Sequence, residues 1–463
     1  MTSLTQTLSP LRRGVTCTKV HVAPRPFAVL LCAPSATVLS MAGKSGKQRR
    51  PTRRRRRDEH HADSHADGEA LPAISKLDGI PLCDPTPITN LDELEAACDR
   101  LRATGRIAYD TEFIGEESYF PRVCLIQLGS DDEIVLVDPF AFDDLAPIWS
   151  LLADDAVEVI VHAGKSDLDI AATHSGTVPT RVRDTQVLAG FAGLPWPVGL
   201  NKAIGAVLGV KVPGGMTFTA WDRRPLSTRQ CRYAADDVRY LLKLESALQD
   251  RITEQAHFAW ADAAQAEKCA VTLGTPDLTS QRRRIENGRT LRKAQRAALH
   301  LLVHLRDKLA REEDTPPRAL IPDQALLAAA RQRPETKAAL VALRGMPKPV
   351  VQDHGDTLLE TIVASADAEP PKDPPRPSEG CPFDRIAIDA LWHRFAAACL
   401  DRSLAPELVC TRTDLARWHL GGGGDWPVSG WRAEVLDTIL KPHLDGATLS
   451  LHSWPIWRHG ADT

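Results

Sequence analysis

Arg106-Ile107-Ala108-Tyr109-Asp110-Thr111-Glu112-Phe113 is an apolar run that closes on two carboxylates, and the fold is read outward from it. A short run of this kind after Gly105 predicts a buried strand. Alternate strand side chains share a face, so Asp110 and Glu112 project together where a fold ordinarily keeps apolar groups. Adjacent carboxylates repel unless a cation lies between them, and an all-oxygen donor set suits Mg²⁺ or Mn²⁺. Alone, D-x-E is a weak signal, since most random occurrences are solvated strand ends.

Upstream, residues 91–101 predict an amphipathic helix with Leu91, Leu94, Ala97, Cys98 and Leu101 on one face. Downstream, residues 123–128 and 133–137 predict two further strands across the turn Gly129-Ser130-Asp131-Asp132. A helix at 145–152, a fourth strand at 157–162, a helix at 165–174 and a segment at 182–192 leading into more helices follow. A three-strand meander followed by alternating helix and strand indicates an α/β layer fold. Past residue 255 the strand signal stops. Residues 281–309 predict one charged amphipathic helix, with shorter helices at 322–331, 336–343 and 355–366. Five prolines among residues 370–377 mark a linker, and a second helical block runs over 386–444. The two blocks echo each other. Pro317 precedes Leu326 by nine residues as Pro406 precedes Leu415, and Leu358-Leu359-Glu360-Thr361-Ile362 parallels Val435-Leu436-Asp437-Thr438-Ile439. A duplicated helical module accounts for this better than coincidence.

At 463 residues the chain holds two to four domains of roughly 100–200 residues each. No apolar run approaches the ~18 residues of a membrane span. The ten cysteines include no C-x-x-C pair, which argues against a zinc ribbon and fits a reducing, cytoplasmic location. The net charge of −3 is uneven: residues 1–69 carry 13 Lys/Arg against 5 Asp/Glu, the rest 44 against 55. Residues 1–69 therefore read as a disordered basic and His-rich tail, with Arg53 to Arg57 unbroken. Residues 1–57 lack Asp and Glu, which leaves a targeting segment open beside a later start at Met41.

Two more segments carry chemistry. In His162-Ala163-Gly164-Lys165-Ser166-Asp167-Leu168 a strand ends and a helix begins, with Asp167 in its first turn. In Tyr233-Ala234-Ala235-Asp236-Asp237 a helix puts Tyr233 and Asp237 on one face, four residues apart. Asp236 lies about 100° away around that helix, so Asp236→Asn is expected to be nearly silent.

Together the three segments resemble the DEDD family of 3′–5′ exonucleases, in its tyrosine branch. Asp110 and Glu112 match the first motif, Asp167 the second, and Tyr233 with Asp237 the third. The flanks Tyr119-Phe120-Pro121, Leu125-Ile126-Gln127-Leu128, Asp184-Thr185-Gln186 and Arg224-Pro225-Leu226 are similar to the bacterial ribonuclease D group. The resemblance implies a ribonuclease H-like (DnaQ-like) domain with a mixed sheet over 85–255. An HRDC domain over 288–368, a linker over 369–382 and a second HRDC-like domain over 383–448 complete the expected organisation. Gly214 and Ala220 depart from the Lys and Asp usual around Trp221.

The implied activity is 3′–5′ exoribonuclease hydrolysis, with RNA bearing a single-stranded 3′ end as partner, tRNA precursors foremost. Two Mg²⁺ or Mn²⁺ ions are implied as cofactors, held by Asp110, Glu112, Asp167 and Asp237, with Tyr233 orienting the attacking water and 5′-monophosphates released. Arg282, Arg283, Arg284, Arg289, Arg292, Lys293 and Arg296 would meet RNA phosphates. Truncation near residue 280 is expected to leave a folded nuclease. The alternatives are a DNA-directed 3′–5′ exonuclease and a non-catalytic RNA-binding scaffold.

Overall fold

The structure, a computed structural model, describes residues 74, 77–177, 179–213, 220–270, 276–288, 290–371, 382–421 and 424–444. The expectations for the 1–69 tail, most of the linker, Gly214 and Arg289 fall outside these residues.

A five-stranded mixed sheet organises the first part of the chain. Its strands are β1 (Arg106–Ile114), β2 (Arg122–Gly129), β3 (Ile134–Val137), β4 (Glu158–Val161) and β5 (Val182–Asp184), in the order β3-β2-β1-β4-β5. The β1–β2 and β2–β3 pairs are antiparallel; β1–β4 and β4–β5 are parallel. β1 is central, which explains its apolar run. Across β1–β2, Asp110 faces Gln127 and Glu112 faces Leu125, then a bulge makes Phe113 face Val123. β5 has three residues, too few for an alternation pattern, and sequence reading passes it by.

One sheet face is covered by α1 (Leu91–Thr104), α2 (Ala146–Leu152) and α3 (Lys165–Ser175). Asn90 caps α1 by accepting from the Glu93 N–H, and Gly105, at φ 68°, ends it. After α4 (Thr185–Phe191) and α5 (Leu200–Leu208), helices α6 (Thr228–Arg239) and α7 (Leu241–Arg251) cover the other face through Ala235, Val238, Leu241 and Leu242. α8 (Gln255–Cys269) closes this part.

The expected single helix over 281–309 is two helices, α9 (Leu278–Glu286) and α10 (Lys293–Glu312). Asn287 and Gly288 both take left-handed φ, 42° and 70°, which stops the first. α11 (Pro317–Leu320), α12 (Asp323–Gln332), α13 (Lys337–Val341) and α14 (Lys348–Ala364) complete a domain around Leu302, Val303, Leu326, Leu358 and Ile362. Arg282 does not reach for phosphate: it is fully buried and pairs with Glu286 at 2.9 Å. Glu286 also holds Arg296 at 2.9 Å, while Arg283, Arg284, Arg292 and Lys293 are exposed.

The second block comprises α15 (Pro382–Asp401), α16 (Pro406–Val409), α17 (Arg412–Leu420) and α18 (Trp431–Val435), the last continued through Leu436–Leu440 and Lys441–Leu444. Long helix, single turn, middle helix and closing helix recur in the order of α10, α11, α12 and α14, the structural counterpart of the sequence echo. This block is not separable. Phe395, Leu408, Trp431 and Leu436 share one core with Val187, Phe191, Trp260 and Ala264. The Ala405 N–H donates to the Gly190 carbonyl at 2.7 Å, and a Cβ at Gly190 would lie 2.7 Å from Leu408 Cδ2. Truncation at 280 would therefore strip a core wall, so a fragment ending there is expected to lose stability, contrary to the expectation of an independent nuclease.

Candidate active site

β1 presents Asp110 and Glu112 toward α6. Asp167 arrives from the turn after β4, where Ala163 takes φ 55° and donates its N–H to Asp184 Oδ1 at 2.9 Å. Gly164 is required there, because a Cβ would stand 2.5 Å from Val161 Cβ. His162 is a framework residue: its ring nitrogens meet Thr185 Oγ1 at 2.8 Å and the Val198 carbonyl at 3.0 Å, and burial lowers its pKa. α6 starts at a capping box between Ser227 and Gln230. One turn later Tyr233 stands beside Asp237, its hydroxyl favouring the charged form of that carboxylate, with the Trp221 ring 6.2 Å from the Tyr233 ring.

The five expected site residues are thus brought into one neighbourhood. Burial, then the charges of Asp167, Asp237 and Glu112, pushes Asp110 well above the usual carboxylate range. Glu112 is pushed up to about 8 by burial, then by Asp237 and Asp167. Asp237 is pushed up to about 8 by burial and then by Asp236, against the opposing Tyr233 hydrogen bond. Tyr233 is raised by burial first and then by the surrounding carboxylates, so its hydroxyl keeps its proton at neutral pH.

Asp167 is buried and also raised, chiefly by burial, and is held from the far face of β1. The Thr111 hydroxyl donates to its Oδ1, and the Tyr109 hydroxyl donates to its carbonyl at 3.2 Å. Sequence reasoning missed both; the signal was the alternate positions of the same strand.

The donor set fits divalent cations. Among the described residues none of the four carboxylates pairs with Lys or Arg, and a cation between them relieves both the burial cost and the repulsion. Among the described residues no group of three His, Cys, Asp or Glu is placed close enough to hold a metal ion as the side chains stand.

Around the site, Arg122 lies over the Phe140 ring at 4.3 Å and Arg224 at 4.5 Å. Arg224 is committed to Asp138 Oδ1 at 2.6 Å, and to the carbonyls of Trp221 and Cys124 at 2.7 Å each. Arg122 is exposed and opposes Ile114, on the strand face of Asp110 and Glu112. The loop between β1 and β2 is gripped by α10 and the turn that follows it. Asp314 Oδ1 accepts from the N–H groups of Tyr119 (3.0 Å) and Phe120 (3.1 Å), and the Tyr119 hydroxyl donates to Asp307 at 3.0 Å.

This fold and site define a 3′–5′ exonuclease, and residues 85–253 match the family model described as 3′-5′ exonuclease, with residues 295–362 matching the HRDC domain. Ribonuclease D of Gluconacetobacter diazotrophicus is 33% identical over 373 residues, covering 79% of this chain and 94% of that protein. Ribonuclease D of Escherichia coli is 32% identical over 366 residues, covering 76% and 96%. The crystal structure of Escherichia coli RNase D, an exoribonuclease involved in structured RNA processing, matches with TM-score 0.62 and 30% identity over 77% of this chain and 98% of that one.

The chain belongs to the ribonuclease D family. It is a 3′–5′ exoribonuclease that acts on RNA and uses divalent metal ions. The DNA-directed and non-catalytic alternatives are thereby set aside.

Proposed function

We propose that Asp110, Glu112, Asp167 and Asp237 would hold two Mg²⁺ or Mn²⁺ ions and that Tyr233 orients the attacking water. When bound, such ions make water more acidic and offset the negative charge that builds on the leaving 3′-oxygen. The chain's own contribution is position. The Tyr233 hydroxyl, proton retained, donates to the Asp237 carboxylate and leaves its oxygen lone pairs to accept from water. The water oxygen joins phosphorus and gives up a proton, the bond from phosphorus to the 3′-oxygen breaks, and that oxygen takes up a proton. A nucleoside 5′-monophosphate departs. The observation that carries this reading is the gathering of four carboxylates and one neutral phenol with no Lys or Arg among them.

The substrate in this reading is a single-stranded RNA 3′ end, tRNA precursors foremost. Exposed Arg122 on Phe140 supports a backbone contact beside the site, and exposed Arg283, Arg284, Arg292 and Lys293 support a longer RNA path. The location is cytoplasmic, in keeping with the free thiols of Cys98, Cys124 and Cys231. A tRNA carrying extra 3′ nucleotides, incubated with and without Mg²⁺, tests the whole. Stepwise shortening only with metal is expected. No shortening of that tRNA, when an unstructured oligoribonucleotide is digested, would remove tRNA precursors from the reading.

A further inference from the structure

Three of the proposed ligands invite comparison. Asp167 receives the Thr111 hydroxyl, and Asp237 has the Tyr233 hydroxyl beside it. Each carboxylate thus has a neutral donor that fixes its orientation without a positive charge that would compete with a metal ion. Asp110, a third proposed ligand, has no side-chain donor among the described residues.

Gln127 stands directly opposite Asp110 across the antiparallel β1–β2 pair. Opposed residues direct their side chains to one face, with Cβ atoms about 4.5–5.5 Å apart. Gln127 is 0% exposed, and neither its Oε1 nor its Nε2 has a hydrogen-bond partner. It is the one described side chain with both ends of an amide left so; Gln265, by contrast, spends its Oε1 on the Asp184 N–H. Its strand neighbours Leu125, Ile126 and Leu128 are apolar and fully buried. Leucine would fill the place with no orphaned group, whereas a buried unpaired amide is destabilising.

We propose that Gln127 is a positioning residue for metal binding, its Nε2 donating to the Asp110 carboxylate and setting the orientation in which that carboxylate ligates. This rests on Asp110 being a ligand, as proposed above. An amide suits this role because it donates to an anion, adds no charge, and cannot be titrated away.

The test uses the full chain and Mn²⁺ alone, without RNA. Gln127→Leu and Gln127→Met remove the amide and keep the bulk. In metal-free buffer both are expected to melt at or above wild type, because the orphan is gone. By titration calorimetry both are expected to bind Mn²⁺ roughly 10–100-fold more weakly, as loss of a group supporting a ligand does. Mn²⁺ affinity within about two-fold of wild type would overturn the proposal. So would a lower metal-free melting temperature or failure to fold, since the amide would then have partners without metal. Asp110→Asn is the separating arm. If it keeps Mn²⁺ affinity, the ligand assignment itself fails. If it loses Mn²⁺ while the Gln127 variants keep it, only the positioning role fails.

Discussion

Asp236→Asn separates what α6 does for the fold from what it does for the site. Asp236 is 7% exposed and its Oδ1 lies 2.6 Å from Nε of Arg239, itself 3% exposed. Arg239 also donates to the carbonyls of Pro81 and Cys83 and lies 3.5 Å from Asp84 Oδ1. The substitution thus attacks a buried pair that straps residues 81–84 to the back of α6, so the silence expected from helix geometry does not extend to stability. Removing one member of a buried pair costs about 3–5 kcal/mol when the other charge is stranded. Here Arg239 retains two carbonyls and Asp84, and Asn retains an acceptor oxygen. Burial also raises the Asp236 pKa despite Arg239, so the carboxylate carries a desolvation cost that Asn lacks. The loss should be that of one hydrogen bond to a charged group, about 1.5–3 kcal/mol. At the roughly 2–4 °C per kcal/mol typical of 150–250 residues, and less for a longer unit, melting should fall by about 2–6 °C. The charge of Asp236 also helps hold Asp237 at about 8, so its removal should let Asp237 ionise at lower pH. Calorimetric melting gives the first quantity, and Mn²⁺ titrations at acid and neutral pH give the second. Lost Mn²⁺ affinity matching that of Asp237→Asn would mean the two faces of α6 are misassigned. An unchanged melting temperature would mean the Arg239 pair carries no stability.

Tyr233→Phe should lower turnover by about 10²–10⁴-fold, the range for a positioned group, while Mn²⁺ affinity stays near wild type; a matching fall in affinity would reassign Tyr233 to ligation. In metal-free protein, Glu112 and Asp237 at about 8 hold protons that the unfolded chain, with carboxyls near 4, releases. Folding is therefore favoured at low pH, and this contribution is lost as pH rises from about 4 to 8. Melting in a chelator should fall over that window and recover with Mg²⁺; a melting temperature that rises with pH in chelator would refute the clustering of these carboxylates. A chain ending near residue 370 loses the wall that covers Phe191 and Trp260 and should aggregate or melt non-cooperatively, whereas a soluble, cooperatively folding product would show that the second block is dispensable.

Much of this molecule is legible in sequence because its signals are local. A central strand must be apolar, so β1 announces itself, and Asp110 and Glu112 stand out as misfits within it. Helical spacing puts Tyr233 and Asp237 on one face, but only the resemblance of the three segments taken together marks them as a site. Supporting residues are less so. Thr111 reads as an ordinary strand residue until the structure sets its hydroxyl on Asp167. Arg282 reads as one basic residue among seven until Glu286 buries it. The Asn287-Gly288 break was present in the sequence, but the charged periodicity on either side masked it. What sequence could not supply was the partner of each group, because partners lie far apart: Tyr119 meets Asp307 across 188 positions.

Those distant partners change what the helical parts are for. Asp314 accepts two N–H groups of the loop joining β1 to β2, and Arg311 donates to the Tyr119 hydroxyl at 3.0 Å. β1 carries Asp110 and Glu112; β2 carries Gln127 and Arg122. The turn between them is therefore anchored by the HRDC domain and not by the sheet. On the other side, the second block packs on α4 and α8, and α8 reaches β5 through the Gln265 hydrogen bond to Asp184. Asp184 in turn holds the Ala163 N–H in the turn that delivers Asp167. The HRDC contacts thus end in the loop that joins the two strands nearest the site, and the second block's packing leads, through α8 and Asp184, to Ala163, one turn before Asp167. Carboxylates pushed together in a buried place repel, and a scaffold that lets them drift apart would lower that repulsion at the expense of metal affinity. Bracing from both ends would resist that drift, so weakening Asp314 or Gln265 is expected to lower Mn²⁺ affinity without touching a carboxylate.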